Sequence, residues 1–380
     1  MTDFDYSDLG EATYEPVQRP ARRNFEVWHR PRKQLVRKRQ WIHEAAELLR
    51  RNDRPVLRYF GLPGIDMLDL RALYQGLCLP DDVKLEFLGL AREAKPGTDE
   101  HLIKEVTLQQ LKQLDLVTSK SDVLAESLES LGSVSHVLFK TAQAFGPFDL
   151  INLDLCDGLL DKSHKSPQPN LYSALQQLMT IQGAMTLPWV FSLTTRISPE
   201  SIHPETADLL LSALRSSDCE DLRSLFEERL GVQLESFDSA TADPDEFAIF
   251  VALALCAWLS SLAQTRTPHR ITVRPMFAYR VLADAPEHDM LSIAIKFSPI
   301  AGATTPDDFG IARGNQIPDI AYCASLVKSL QLACARTDVD DLLRSDSSLR
   351  SDMIDESANL LEWARFDIAE YKNWIDSFAS

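Results

Sequence analysis

Apolar positions along this chain gather into short runs that alternate with helical stretches. The first run, VLRYFGLPG at 56–64, ends in a Pro/Gly turn, and a helical pattern over 66–75 opens directly behind it. The same event recurs. KLEFLGLA at 84–91, a weaker DLVTSKSDVL at 115–124, FDLINLDLCDG at 148–158 and PWVFSLTTR at 188–196 read as strands, with helical patterns between them, among them 128–145 and 171–183. Near-continuous apolar residues, as at 148–155, suit strands buried on both faces. Five strand-helix steps in succession predict an open parallel sheet. A helical stretch at 204–234 and an apolar helix at 247–264 follow. Two strand patterns come next, 270–282 and 289–300, and their linker ADAPEHD is short enough for a hairpin.

The expected fold is therefore α/β: an open, mostly parallel seven-stranded sheet with a C-terminal antiparallel hairpin strand. An N-terminal basic helix precedes it and C-terminal helices follow. The chain divides into a flexible acidic arm (1–24), a basic helical segment (25–54), the α/β domain (55–300) and a helical extension (301–380).

Composition adds few constraints. The apolar fraction, 45%, is that of an ordinary globular protein. The first residues are acidic and polar, with no apolar leader pattern. The uncharged stretch at 247–265 has the length of a membrane span. Its alanines, polar close and acidic approach DPDE point instead to a core helix, so no membrane association is expected. Six cysteines are scattered without a CxxC pair and read as buried free thiols in a reducing, cytoplasmic setting. Eight histidines lack HxH or HExxH spacing, so no metal is expected.

Charge is uneven. The net charge is −17, yet residues 19–58 hold 13 Lys and Arg against four acids. From Pro31 onward Leu35, Ile42, Ala45 and Leu49 share one helical face, with Trp41 near its edge. Arg32, Lys33, Arg37, Lys38 and Arg39 supply the charge. Three readings stay open for residues 30–51. The segment is a solvated helix complementing the acidic body, a phosphate-backbone site where Trp41 stacks on a base, or a contact for an acidic protein partner.

The order of five strand-helix steps, a helix and a hairpin resembles the class I S-adenosylmethionine-dependent methyltransferase fold over roughly residues 50–300. There a parallel sheet ends in an antiparallel seventh strand reached through a hairpin. The resemblance implies S-adenosylmethionine as cofactor. It implies cofactor contacts at Gly61 and Gly64 in the first turn, at Asp66 behind it, at Glu86 in the second strand and at Asp122 after the third. It implies that Asn152 and Asp154, on the fourth strand, serve transfer, with Asp157 just beyond. The chain departs from the pattern in two places. The first turn lacks GxG spacing and contains Pro63, and Gly89 stands where an acid is expected. Asp66 also reads as a helix N-cap. There is no (D/N)PP(Y/W), GxxxxGK(S/T) or GxSxG motif. Two functions follow. One is a divergent, non-catalytic methyltransferase-like subunit that binds a protein partner or nucleic acid through residues 30–51. The other is an active S-adenosylmethionine-dependent methyltransferase with an atypical cofactor loop.

Overall fold

The computed structural model describes residues 24–155, 157–265, 267–282, 288–300 and 319–377. The acidic arm up to residue 23, Cys156 and most of the hairpin linker lie outside them. The described strands are β1 (Val56–Gly61), β2 (Lys84–Leu90), β3 (Asp122–Leu124), β4 (Leu150–Asp154), β5 (Trp189–Arg196), β6 (His269–Val273), β7 (Phe277–Tyr279), β8 (Met290–Pro299) and β9 (Thr337–Asp338). They form one sheet in the order β3-β2-β1-β4-β5-β8-β7-β9, with β6 also on β8. β1 to β5 run parallel, and β8 lies antiparallel to β5 from Trp189↔Phe297 to Arg196↔Met290. This is the expected open sheet closed by an antiparallel hairpin strand.

Two strands exceed the expected seven. Pro275 has no N–H to give the ladder. It splits the first hairpin arm into β6, against the far half of β8, and β7, against the near half. The two-residue β9 then adds to β7 in parallel.

In chain order, α1 (Pro31–Val36) passes through a π-helical stretch (Arg37–Ile42) into α2 (His43–Asn52). α3 (Leu68–Leu73) passes through a second (Tyr74–Cys78) into α4 (Leu79–Asp81). Then follow α5 (Asp99–Lys112), α6 (Val137–Phe145), α7 (Leu171–Gln182), α8 (Pro204–Arg215), α9 (Glu220–Leu230) and α10 (Pro244–Gln264). The tail holds α11 (Asp319–Cys334), α12 (Val339–Ser345), α13 (Ser347–Trp363) and α14 (Ile368–Asp376). The helix expected over 128–145 begins only at Val137. Gly132 and the serines after it interrupt the pattern, and the His136 ring accepts the N–H of Leu138 as a cap.

Strand alternation divides the core. Ile151 and Leu153 of β4 join Phe60 and Phe191 beneath α6, α7 and α10. Leu150 joins Tyr59, Leu85 and Phe87 beneath α2, α3 and α5. α10 is long and apolar enough to span a membrane, yet most of it is buried, as a core helix requires. Asp243 starts it by accepting the N–H groups of Asp245 and Glu246 at 2.9 and 3.0 Å. The thiols of Cys78 and Cys256 are free and buried, as expected. Cys219 and Cys323 are not free: a disulfide joins the start of α9 to α11, a pairing across 104 residues that spacing could not reveal.

The basic segment is not a solvated helix on the surface: Lys33, Arg37 and Trp41 are buried. Leu35, Val36 and Trp41 pack with Tyr279, Met290, Val339 and Met353. Gln40 bonds the Ser292 carbonyl at 3.2 Å and accepts the Ser292 hydroxyl at 2.6 Å. From the other side Phe25 stacks among Phe366, Tyr371 and Trp374, and the Tyr371 hydroxyl donates to the His29 carbonyl at 2.8 Å. The N-terminal segment is thus clamped between the sheet and the C-terminal helices.

Candidate functional site

The carboxyl ends of β1, β2, β3 and β4 meet around a cavity of about 210 Å³. Gly64 lines it, in a left-handed conformation (φ 63°) that a residue without a Cβ adopts at no steric cost. The turn before it is tightly seated. A Cβ at Gly61 would lie 2.6 Å from the Asn152 carbonyl, and one at Gly89 would lie 2.8 Å from the Pro63 ring. Gly89 therefore stands in place of an acid because Pro63 packs onto it. The remaining wall is charged. Glu93 follows β2, Glu126 and Glu129 follow β3, and Asp154, Asp157, Asp161 and Lys162 lie at and beyond the end of β4, with Arg92 opposite. Burial pushes the Glu129 carboxyl up. The Ser127 hydroxyl, its own N–H, Lys162 and Arg92 outweigh that and hold it below the usual range. Arg92, Glu93, Asp157 and Asp161 are exposed, so this cavity opens to solvent.

A second cavity, of about 160 Å³, shares Asp154, Leu155 and Asp157 with the first. Its other walls come from Val27, Trp28 and Lys33 of the N-terminal segment, Arg196 at the end of β5, and Tyr279 and Met290 of the hairpin. Asp289 fixes the hairpin side. It is buried, pairs with Arg196 at 3.0 Å and accepts the N–H groups of Val281 and Leu282.

Asp154, Asn152 and Tyr59 project to the face that α1 and α3 cover, where a buried polar cluster forms. Lys33 forms an ion pair with Asp154 and lies 3.2 Å from the Tyr279 hydroxyl. Arg37 donates to Asp69 at 2.8 Å, both side chains being buried. Burial works against the Lys33 charge. Asp154, Tyr279 and Asp69 outweigh it and raise the ammonium pKa, so Lys33 is cationic throughout the neutral range. Burial raises the Asp69 carboxyl, against the pull of Arg37 and with the repulsion of Asp154. Burial also lifts both Tyr59 and Tyr279, which stay protonated. The cluster balances two cations against two carboxylates, the condition under which buried charges are tolerated.

The sequence-derived candidates divide accordingly. Gly64 and Asp154 line the cavity, and Gly61 supports its turn. Asp66 lies behind that turn, its carboxylate 4.0 Å from the His29 ring. It is not the N-cap of α3: that position is Met67, itself left-handed, and the helix begins at Leu68. Glu86 sits mid-strand rather than at the end of β2. It pairs with Arg58 at 3.5 Å and accepts the Thr118 hydroxyl at 3.3 Å. Asp122 begins β3 and pairs with Lys112 at 3.8 Å, outside the cavity lining. Asn152 is buried against the Tyr59 hydroxyl (3.4 Å) and is not among the described residues lining either cavity.

Among the expected surface-contact residues, Lys33, Arg37 and Trp41 are buried, which corrects their expected placement on an outer face. Arg32 pairs with Asp340 at 2.9 Å and Lys38 with Glu356, both in the tail, while Arg39 is exposed. Sequence reasoning missed Glu93 and Glu126. The available signal was that each is an acid within three residues of a strand's carboxyl end.

Comparison with known proteins adds the following. The chain aligns with a plantazolicin methyltransferase, BpumL, solved in complex with SAH, at 12% identity and a TM-score of 0.34, covering 71% of this chain and 85% of that one. It aligns with a Listeria monocytogenes protein described as a class I S-adenosylmethionine-dependent methyltransferase at 11% identity and a TM-score of 0.36, covering 82% and 74%. The fold assignment rests on the strand order above and not on these likenesses. No curated protein matches the chain. A family profile, PP_RS20740-like, matches residues 22–376, from the N-terminal segment to the last helix. The chain belongs to the PP_RS20740-like family.

Proposed function

We propose that this protein is an S-adenosylmethionine-dependent methyltransferase, with the larger cavity taking the cofactor and the smaller one the methyl acceptor. The observation that carries this reading is that the two cavities share the wall at the end of β4. Methyl transfer needs two ligands to meet at one point, and open α/β sheets bind ligands at the carboxyl ends of their strands.

The donor set suits the cofactor. S-adenosylmethionine carries a net positive charge, and six carboxylates against Arg92 and Lys162 line the larger cavity. Glu93 and Glu126 would accept the ribose hydroxyls, and Gly64 would let backbone approach. When bound, the cofactor supplies an electrophilic methyl group. The chain's own part is positioning. Lys33 holds the Asp154 carboxylate at the shared wall, and Trp28 and Met290 give the smaller cavity apolar walls.

The alternative of a non-catalytic subunit binding nucleic acid through residues 30–51 loses support. Lys33 and Arg37 are neutralised internally, and Arg32 and Lys38 are paired with the tail. Calorimetric titration with S-adenosylmethionine and S-adenosylhomocysteine at low salt tests the proposal. Binding at or below about 100 μM, roughly −5.5 kcal/mol, is expected. It should disappear in Glu126→Arg, which replaces a hydroxyl acceptor in the cavity wall by a longer side chain that can only donate. A parent protein that gives no heat and no thermal shift would sink the reading.

A further inference from the structure

Beside the loop that follows β4, a separate cavity of about 350 Å³ lies between α7, α8, α10 and α11. Leu160, Leu210, Leu214 and Ala257 form its walls, and Leu209 and Ala213 stand exposed at its mouth. Well-packed interiors leave few voids larger than a water molecule, so a space of this size needs an explanation. None of its described lining residues is Lys, Arg, Asp or Glu. A charged guest would lose its hydration there with no partner to replace it.

The walls do offer rings and a few polar atoms. Tyr172 and Trp258 meet edge to face, with centroids 5.8 Å apart. The Tyr172 hydroxyl donates its proton to the Lys162 carbonyl at 2.5 Å, so that proton is not available to a guest. The His164 Nδ1 atom is buried without a hydrogen-bond partner among the described residues. The Tyr322 phenol, whose pKa burial raises, is a neutral group on the same wall.

We propose that this cavity binds a neutral, largely aromatic small molecule bearing a hydrogen-bonding group that reaches His164. Concave, mostly apolar pockets with a few convergent polar atoms are the usual form of small-molecule sites. Small-molecule sites usually span about 300–1,000 Å³, and this cavity falls at the lower end of that range, which suits a guest of two fused rings. Its back wall also carries the loop that follows β4. Tyr172 and Thr206 both donate to the carbonyl of Lys162, whose side chain lines the cofactor cavity. A guest here therefore presses on groups that hold that loop.

The test is a fluorescence and calorimetric titration of the full chain with 2-naphthol, a hydroxylated two-ring probe within this size. Saturable one-site binding below about 1 mM, roughly −4.1 kcal/mol, is expected. Ala257→Leu, which fills the cavity, and Ala213→Leu, which narrows the exposed mouth without burdening the fold, should each weaken it at least tenfold. Glu126→Arg should leave it unchanged, which separates this site from the cofactor reading. Absence of saturable binding to the parent would overturn the proposal. So would unchanged affinity in both filling variants, or loss of binding in Glu126→Arg.

Discussion

The Arg37–Asp69 pair joins the N-terminal segment to α3, and Arg37→Met measures how firmly that segment is built in. Both side chains are close to fully buried, 6% and 5% exposed, with Nε 2.8 Å from Oδ1. Removing one partner of a buried pair leaves an uncompensated charge and costs about 3–5 kcal/mol. With an unfolding entropy of about 2.1 cal/mol/K per residue, a chain of 380 residues loses about 4–6 °C in Tm for that cost. The loss depends on pH in a defined sense. Burial already raises the Asp69 carboxyl above its ordinary value, and Arg37 is the largest influence opposing that shift. In Arg37→Met the folded-state pKa rises further. A carboxyl raised in the folded state favours folding at acid pH, and that benefit vanishes as pH climbs through the folded value. The variant should therefore lose more stability relative to the parent at pH 7 than at pH 5. Adding Asp69→Asn removes the stranded charge and should restore more than half of the loss, the signature of a coupled pair. Thermal unfolding followed by circular dichroism at both pH values reads all of this. A drop under 1 °C in Arg37→Met, or no recovery in the double variant, would refute the docking of the segment.

Three further outcomes follow from other contacts. Gly89→Ala should cost about 1–3 kcal/mol and weaken S-adenosylhomocysteine binding, because the new Cβ meets Pro63 at 2.8 Å and shifts the turn that carries Gly64. Unchanged melting and unchanged affinity would reject that coupling. Reduction of Cys219–Cys323 should lower Tm by several degrees, since closing a loop of this length contributes about 4–5 kcal/mol in the chain-entropy account. A melting curve indifferent to dithiothreitol would contradict it. Asp289→Ala removes the buried carboxylate that pairs with Arg196 and accepts two hairpin N–H groups, so a loss of about 3 kcal/mol or more is expected in urea unfolding. A shift below 1 kcal/mol would mean the hairpin is held by other contacts.

The sheet was legible because its central strands are buried on both faces. β4 and β5 read as apolar runs, and the hairpin announces its antiparallel strand. β7 and β9 were not legible, because two or three residues carry no period and Pro275 hides a break inside one arm. The face of the basic helix was readable from Leu35 and Ala45, but its destination was not. Lys33 and Arg37 have the sign of a solvated face. What buries them is a carboxylate 121 residues away for one and 32 residues away for the other. Of the residues singled out in the sequence, Gly64 and Asp154 line the larger cavity, at the strand ends where the pattern put them. Glu86 lies within β2 and outside the cavity lining, whereas Glu93, three residues beyond the end of that strand, lines it.

Hydrogen exchange with mass spectrometry, with and without S-adenosylhomocysteine, tests the central claim most directly, because it reports both binding and place. The account predicts new protection in the segments after β1, β2, β3 and β4, at residues 61–66, 90–93, 124–129 and 154–162. It also predicts slow exchange in α1 in both states, where Lys33 and Arg37 anchor it. Ligand-independent exchange across all four segments would contradict a cofactor site at these strand ends, and fast exchange of α1 would contradict an N-terminal segment built into the wall of the neighbouring cavity.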